Sequence, residues 1–306
     1  PIILPAKQPN AFVEYKEYYF FVPSAIGIKK TDLPRLKNVY AEKDLKSDEL
    51  TVNYTLLGSD KMKQAKVFPF PHTDQEYIQE DLKNKKSTVE HFPFLKIDET
   101  QKLIIVQPGV HKVDKDLIIP PGYKVLATTA SSIDIVNKAK IISYAPLFFS
   151  GNDEDDFVIT SSDFTGQGIE LINAPGSVFR NVLFKNIPEA VDQQWKRSGY
   201  ITCYESKITL EHCHFINSKA KSIVNLIRSE YSINKTLFQD ATGDALDIDF
   251  SKGTISNSSF ENCKTAIKAN SSNVDLMQVQ FIKVIKGVDP KSSAIRVNGK
   301  LIQSDK

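Results

Sequence analysis

The chain lacks the features that mark a membrane-spanning or disulfide-stapled protein. It contains no run of about 18 apolar residues, so the sequence predicts no membrane span. Only three cysteines, Cys203, Cys213 and Cys263, are present. They are too few and too unevenly placed for a disulfide framework, and their setting favours small buried thiols.

An excess of charge of one sign is lacking as well. Lysine and arginine together number 39 against 37 for aspartate and glutamate, which gives a formal net charge of +2. Because the two signs are interspersed, the chain carries no electrostatic footprint for nucleic acid, and no nucleic-acid partner is expected. The short basic run at residues 83–86 is flanked by Glu80 and Asp81 and is interpreted as a solvated face.

The signatures of several enzyme classes are missing. The sequence has no G-x-S-x-G elbow, Walker loop, dinucleotide-binding glycine motif or zinc-ligand spacing. Its serine, histidine and aspartate residues show no spacing that suggests a nucleophilic triad. His212 and His214 would share one face of a strand, but a lysine and a leucine are predicted above them, so a polar surface pair is expected.

What the sequence contains instead is a repeat. Short β-type runs in the second half each end in a phenylalanine, namely Phe184, Phe215, Phe238, Phe260 and Phe281, and the last four follow one another at intervals of 23, 22 and 21 positions. A period in the low twenties without a helical pattern is typical of a β-solenoid, whose strands lie parallel to those of the turns above and below. The sequence therefore predicts an all-β fold, a right-handed parallel β-helix with about 21–23 residues per turn.

Two domains are predicted. Residues 91–306 are expected to form the parallel β-helix, and residues 1–90 a small N-terminal β-rich module or cap. Within the module, residues 13–22 and 49–58 have strand character, and residues 74–85 have the pattern of a short helix. A cap is needed because the first turn would otherwise expose an open sheet edge.

One turn is longer than the others. Phe215 follows Phe184 at an interval of 31 positions, so the surplus is expected to leave the barrel as a loop at residues 188–199. This loop carries Trp195, the only tryptophan. Its ring could stack on a sugar, or it could fasten the loop onto the solenoid, and both interpretations stay open.

The repeat also predicts which side chains are neighbours, because residues one period apart stack in adjacent turns. Three columns are uniformly apolar and are predicted to point inward: Ile201, Val224, Leu246, Ile267; Cys203, Leu226, Ile248, Ala269; and Leu210, Ile233, Ile255, Leu276. Strand alternation then directs two intervening columns outward: Thr202, Asn225, Asp247, Lys268; and Tyr204, Ile227, Asp249, Asn270.

The densest acidic feature of the predicted solenoid is a group of aspartates. Asp247 and Asp249 are expected on the same exposed face of one strand, with Asp244 at the turn before them. Glu205 and Arg228 occupy adjacent turns beside this group.

This group allows three interpretations. Carboxylates on one face can chelate Ca²⁺, which takes six to eight oxygen ligands. They can also serve as acid and base on a glycosidic bond. The third interpretation is a solvated ladder, since Lys268 is predicted directly above Asp247 and would pair with it. No metal site and no cofactor is expected, with Ca²⁺ as the alternative.

From residue 92 to residue 259 the chain resembles the right-handed β-helix region of bacterial proteins often associated with spore-coat-protein-H-like (CotH-type) kinases. The stretches that carry the resemblance cover over half of the chain and are QPGVHKVDKDLIIPPGYKV, IISYAPLFFSG, ITSSDFTGQGIELINAPGSVFRNVLF, GYITCYESKITLEHCHF, NLIRSEYSI and GDALDIDFSKGTISNSSFEN. The resemblance implies a secreted or cell-surface location and an accessory solenoid role. Nothing in the chain resembles the kinase domain, so kinase activity is not implied.

The resemblance also bears on the aspartates. In that family, aspartates recur at the same outward positions over several turns, and the pattern is matched by Asp244, Asp247 and Asp249. The neighbouring turns depart from it, because the corresponding positions hold Ser222, Thr265 and Lys268. The acidic ladder is therefore reduced to one rung.

Two functions from different classes follow as expectations. The leading one is a non-catalytic binding or scaffold protein outside the cytoplasm that presents its polar face to a glycan or a cell-surface protein. Its expected ligand-binding residues are Glu205, Arg228, Asp247, Asp249 and Trp195. The alternative is a polysaccharide-active enzyme, a lyase or glycoside hydrolase, with catalytic residues drawn from Asp244, Asp247, Asp249 and Arg228.

Overall fold

The computed structural model describes four strands in the N-terminal part and residues 85–303, apart from residues 129–130, 153 and 190–198. The chain divides into two compact units, residues 1–78 and residues 79–306. Within the described residues, no helix combines the length and the apolar character needed to cross a bilayer.

The described strands of the first unit form two antiparallel pairs. They are β1 (Val13–Tyr15) with β2 (Tyr18–Phe20), and β3 (Thr51–Thr55) with β4 (Met62–Lys66). Three of these strands, β1 to β3, lie in the two stretches predicted as strands. The helix predicted at residues 74–85 lies outside the described residues, apart from its last position. The predicted domain division at residue 90 stays a prediction.

The second unit is a parallel β-helix of about eight turns. A short 3-10 helix (Val89–His91) and β5 (Leu95–Asp98) precede it. Turns 1 to 4 contain β6 (Leu103–Val106), β7 (Gly109–Val113), β8 (Leu117–Ile119); β9 (Lys124–Thr128), β10 (Ser131–Ile135), β11 (Ile141–Ser143); β12 (Leu147–Ser150), β13 (Phe157–Thr160), β14 (Ile169–Ile172); and β15 (Ser177–Arg180), β16 (Val182–Ile187), β17 (Gly199–Tyr204).

Turns 5 to 8 continue the same order. They contain β18 (Lys207–Glu211), β19 (His214–Ser218), β20 (Ser222–Ile227); β21 (Glu230–Asn234), β22 (Leu237–Asp249); β23 (Lys252–Ser256), β24 (Ser259–Asn270); and β25 (Asn273–Met277), β26 (Gln280–Ile282), β27 (Lys286–Lys291). The strands β28 (Ala294–Val297) and β29 (Lys300–Gln303) then form an antiparallel hairpin at the C-terminal end. The predicted fold class, an all-β right-handed parallel β-helix, is confirmed.

The strands stack into three sheets. The first sheet holds β5, β6, β9, β12, β15, β18, β21, β23, β25, β28 and β29. The second holds β7, β10, β13, β16, β19, the first halves of β22 and β24, and β26. The third holds β8, β11, β14, β17, β20, the second halves of β22 and β24, and β27. The long strands β22 and β24 run around a corner and so join the second and third sheets.

The register of the strands confirms the predicted columns. Val224 pairs with Ile201 below it and with Leu246 above it, and Leu246 pairs in turn with Ile267. All twelve residues of the three predicted inward columns are buried. Aliphatic side chains stacked turn on turn therefore fill the interior, and the hydrophobic effect holds consecutive turns together.

The phenylalanines that defined the period form a continuous stack in the core. The centroids of neighbouring rings, from Phe184 through Phe215, Phe238 and Phe260 to Phe281, are 4.4, 4.9, 4.9 and 5.6 Å apart. The first four rings are fully buried, whereas Phe281 in the last turn is 40% exposed.

The long fourth turn has its surplus where the sequence predicts it. Ile187 pairs with Ser218 and Gly199 with Ser222, so 12 positions in turn 4 span the distance that four positions span in turn 5. The surplus of eight residues therefore falls between Ile187 and Gly199. Most of this loop, including Trp195, lies outside the described residues.

Each corner of turns 4 to 8 is made by a single residue with left-handed backbone, φ between 47° and 58°. The first corner (first to second sheet) uses Asn181, His212, Lys235, Asn257 and Gln278. The second corner (second to third sheet) uses Asn186, Asn217, Asp240, Asn262 and Lys283. The third corner (third to first sheet) uses Glu205, Arg228, Phe250, Ser271 and Ser292. Asparagine tolerates this conformation better than most residues, which explains its five occurrences.

A buried column of serines follows the third corner. It consists of Ser206, Ser229, Ser251, Ser272 and Ser293. The backbone N–H of each of the first four donates to Oγ of the serine in the next turn, at 2.9–3.1 Å. Each of these four hydroxyls also donates to the carbonyl oxygen two residues before it. The serine hydroxyls therefore hydrogen-bond to backbone N–H and C=O groups that the tight corner would otherwise leave buried without a partner.

The three cysteines are free and buried, as the sequence predicts. Burial raises the pKa of the Cys213 thiol to about 12 and that of the Cys263 thiol to about 11. Burial also holds the pKa of Cys203 far above its usual range.

This setting predicts thiols that do not react in the native protein. At pH 8 all three are expected to be protonated and shielded, so a chromogenic disulfide reagent should release no thiolate signal within minutes. In denaturant the same reagent should titrate three thiols per chain. Rapid native labelling of any of them, located by mass spectrometry, would contradict the described packing.

Candidate functional site

The acidic residues singled out in the sequence lie on or beside the outer face of the third sheet. A central column of outward residues runs through turns 1 to 8 as Ile118, Ile142, Glu170, Thr202, Asn225, Asp247, Lys268 and Asp289. An outer column beside it runs through turns 3 to 8 as Ile172, Tyr204, Ile227, Asp249, Asn270 and Lys291. The central column is thus apolar in turns 1 and 2 and polar from turn 3 onwards, whereas the outer column carries charged or amide side chains from turn 6 onwards.

The apolar part of this face is itself packed. Ile118, Ile142 and Ile172 form a buried cluster, against which Tyr144 and Tyr204 pack. Beside it, Lys140 and Glu170 form a buried ion pair with an Nζ–Oε1 distance of 3.6 Å. Sequence reasoning missed this pair because the first four turns have no constant period.

Asp247 points outward as predicted, but it is not exposed. Its side chain contacts Lys268 above, with Nζ 2.9 Å from Oδ1 and 3.1 Å from Oδ2, and Ser222 Oγ lies 3.5 Å from Oδ2. Only 4% of Asp247 remains accessible. The expectation of an exposed Asp247 is therefore wrong, since the side chains stacked around the carboxylate shield it.

The hydrogen bonds between Lys268 and Asp247 at the centre of the face join two charged groups and are therefore charge-assisted. Burial lowers the pKa of Lys268, but the hydrogen bond and attraction from Asp247, with smaller attraction from Asp244 and Asp249, outweigh it and leave that pKa raised. The pair therefore persists across the physiological pH range. This outcome agrees with the ladder interpretation of the sequence, in which Lys268 forms an ion pair with Asp247.

Asp249 has different neighbours. Its Oδ2 accepts a hydrogen bond from Asn225 Nδ2 at 3.5 Å, and its Oδ1 accepts one from Asn270 Nδ2 at 3.4 Å. The same amide of Asn225 also donates to the carbonyl oxygen of Asp247 at 3.1 Å. Asp249 and Asn270 are half-buried. We call Asn225, Asp249 and Asn270 the amide–carboxylate row.

Glu205 and Arg228 border this row, since the backbone N–H of Arg228 donates to the carbonyl oxygen of Asp249 at 2.9 Å. Both occupy the third corner, where Arg228 Nη1 lies 3.5 Å from Glu205 Oε1, and both side chains are exposed. The structure therefore brings Asp244, Asp247 and Asp249 onto one strand and places the Glu205–Arg228 pair at its border. Trp195 lies outside the described residues, and its role stays a prediction.

Sequence reasoning missed three groups at this site. Asn225 and Asn270 appeared in the outward columns, but nothing in the sequence showed that their amides hold Asp249. Phe250 follows Asp249 directly, and the same column alignment places it at the third corner beside Arg228, where a side chain must be exposed. Its position was therefore predictable from the period.

A separate groove of about 610 Å³ lies at the first corner of turns 6 to 8. Lys235, Asn257, Gln278 and Gln280 are among its lining residues. The amide of Asn257 is already bound to Asn234 Oδ1 at 3.0 Å, and no described carboxylate or aromatic ring lines the groove. The face of the third sheet offers a wider range of binding chemistry.

The expectation of no metal site, with Ca²⁺ as the alternative, stays a prediction. Among the residues that the structure describes, no group of three or more histidine, cysteine, aspartate or glutamate side chains is placed to hold a metal ion.

The fold and the site together define this chain as a parallel β-helix protein with an ion-paired polar face on its third sheet. A scan against protein-family models found no match, and neither did searches of curated proteins and of solved structures.

Proposed function

We propose that this protein is a non-catalytic glycan-binding module that acts outside the cytoplasm, and that the glycan binds the outer face of the third sheet in turns 5 to 7. The observation that carries the proposal is the amide–carboxylate row. Its half-buried members, Asp249 and Asn270, place an acceptor and a donor in two successive turns, about 4.8 Å apart at the spacing of parallel strands, while the buried amide of Asn225 holds Asp249 from the turn below. Sugar hydroxyls both donate and accept, so a row of this kind suits them.

Binding without turnover is supported by how two of the carboxylates, those of Asp247 and Asp249, are held. Cleavage of a glycosidic bond needs one carboxyl that delivers a proton to the leaving group and a second that acts as base or nucleophile. Asp247 holds Lys268 with both of its oxygens, and Asp249 accepts from two amides. Neither is placed to deliver a proton, and the proposal involves no cofactor.

The proposed setting is a bacterial cell surface or its surroundings. It is supported by the resemblance to the β-helix region associated with CotH-type kinases, which implies an accessory solenoid rather than a reaction. In that setting the solenoid would act as a scaffold whose partner is a surface glycan.

The proposal predicts that the row is needed for binding and not for folding. Asp249→Ala and Asn270→Ala are each expected to weaken glycan binding about tenfold or more, because each removes a hydrogen bond to a charged group or a sugar hydroxyl. Binding is measured on a glycan array and then by calorimetry, and the melting temperature checks the fold.

Asp275→Ala is the matched control. Asp275 is an outward, partly exposed carboxylate on the first sheet, where it faces Arg296 at 3.4 Å, so its loss should leave glycan binding unchanged. If both test variants bind as the wild type does, the third sheet is the wrong face. Bond cleavage by the wild type that Asp247→Asn or Asp249→Asn eliminates would establish an enzyme instead.

A further inference from the structure

Phe250 occupies a position that is unfavourable both for its backbone conformation and for its apolar side chain. It makes the third corner of turn 6 with φ at 51°, a conformation that is unusual for a bulky residue, and its side chain is 60% exposed. The other residues at this corner are charged or small and polar. Strained, exposed positions of this kind tend to persist where the side chain has a function.

A second phenylalanine stands at the opposite edge of the same sheet. Phe164 lies in the loop between β13 and β14, at the second corner, with φ at 55° and 45% of its side chain exposed. Lys219 Nζ, which follows the second corner of turn 5, lies 5.6 Å from the centroid of its ring. The ring therefore borders the third sheet near turns 4 and 5.

Hydrogen bonds to two aspartates hold the loop that carries Phe164. Asp163 accepts hydrogen bonds from the backbone N–H of Asn137 at 2.8 Å and from that of Thr165 at 2.9 Å. Asp134 accepts from the N–H of Ser162 at 2.8 Å and from its hydroxyl at 2.6 Å. The exposed ring is thus held in place, which lowers the entropy cost of binding.

Phe164 and Phe250 are the two phenylalanines with positive φ in the described part of the chain, and they stand at opposite edges of the third sheet, Phe164 in the loop of turn 3 and Phe250 at the corner of turn 6. We infer that their rings are stacking platforms at the two edges of the third sheet, for an uncharged oligosaccharide that crosses the sheet between them. The inference rests on the proposed function and adds the stacking residues and the ligand class. A pyranose ring presents an apolar face of C–H groups that an aromatic ring can cover.

The preference for an uncharged ligand is supported by the ion pairs on the Phe250 side of the sheet. Arg228, Lys252 and Lys268 each contact a carboxylate, at 3.5, 2.8 and 2.9 Å. These cations are already neutralised, whereas the half-buried Asp249 would repel an acidic sugar. At the edge formed by Phe250, an uncharged sugar meets hydrogen-bonding groups and the aromatic ring.

The test replaces each ring by asparagine, which accepts left-handed backbone more readily than phenylalanine. Phe250→Asn and Phe164→Asn are expected to keep or raise the melting temperature while weakening the binding of cellohexaose and mannohexaose about three- to tenfold. Hexagalacturonate should bind the wild type more weakly than either neutral probe. Ile285→Asn removes an exposed apolar side chain from the last turn and should leave binding unchanged.

The outcomes separate the two levels of the proposal. If Asp249→Ala weakens binding but both phenylalanine variants bind normally, the stacking role is wrong and the proposed function stands. Tighter binding of hexagalacturonate than of the neutral probes overturns the ligand class. If the wild type binds neither neutral probe at millimolar concentration, the inference of an uncharged oligosaccharide is overturned. If Asp249→Ala and Asn270→Ala do not weaken the binding of any glycan that the wild type binds, the third sheet is not the binding face.

Discussion

Replacing Phe238 by alanine is expected to lower the free energy of unfolding by about 3–5 kcal/mol, the range for large aromatic truncations in a core. Phe238 is fully buried between Phe215 and Phe260, with ring centroids 4.9 Å away on both sides. The cavity would open in the middle of a solenoid in which each turn is held only by its two neighbours. Chemical denaturation followed by circular dichroism measures the loss.

Phe281→Ala is the matched control within the same stack. Phe281 ends the column and contacts one ring instead of two, and 40% of it is already exposed. Its removal should cost less than about 2 kcal/mol, because less apolar area returns to water. Equal costs for the two variants would contradict the stacked register.

Lys268→Ala is expected to destabilise the fold by about 1–3 kcal/mol, because the shielded carboxyl group of Asp247 would lose the partner of its two hydrogen bonds. Asp247→Asn should cost less, since Lys268 is partly exposed and can extend into water. The double variant should cost less than the sum of the two single variants, which isolates the energy of the pair. A cost for Asp247→Asn equal to that of Lys268→Ala would contradict this asymmetry.

The pH dependence of this pair has a definite sign. The pKa of Lys268 is raised in the folded state, so the stabilisation is fully present below the ordinary lysine pKa of about 10.4. It is lost as the pH rises through the higher folded-state value. The difference in stability between the wild type and Lys268→Ala should therefore be constant from pH 7 to 9 and shrink above about pH 10.5.

The part of the fold with a constant period could be read directly from the sequence. From Ile201 to Val224, Leu246 and Ile267 the paired residues are 23, 22 and 21 positions apart, so one alignment places every side chain of these turns inward or outward. In the earlier turns, from Leu117 to Ile141, Ile169 and Ile201, the intervals are 24, 28 and 32 positions. Loops of different length there hide the register, and with it the Lys140–Glu170 pair.

The candidate site was predicted in outline and not in its contacts. The alternation of the strand was enough to put Asp247 and Asp249 on one face. It could not show that Lys268 and Ser222 close over Asp247 while two amides hold Asp249, because those contacts depend on side-chain conformation across turns. Nor could it show that Arg228 and Glu205 pair with each other, because they lie at a corner, where alternation no longer applies.

The class of fold, the inward columns, the phenylalanine stack and the burial of the thiols were all predictable from the order of the residues. The reason is that a solenoid repeats one local geometry, so its hydrophobic pattern must agree from turn to turn. The chemistry of the outer face depends instead on the folded chain. Left-handed corners send single residues such as Phe250 into solvent, and the stacking of successive turns makes ion pairs of charges that are distant in the chain. Exposure and pairing depend on those neighbours in space, which the order of the residues alone does not specify.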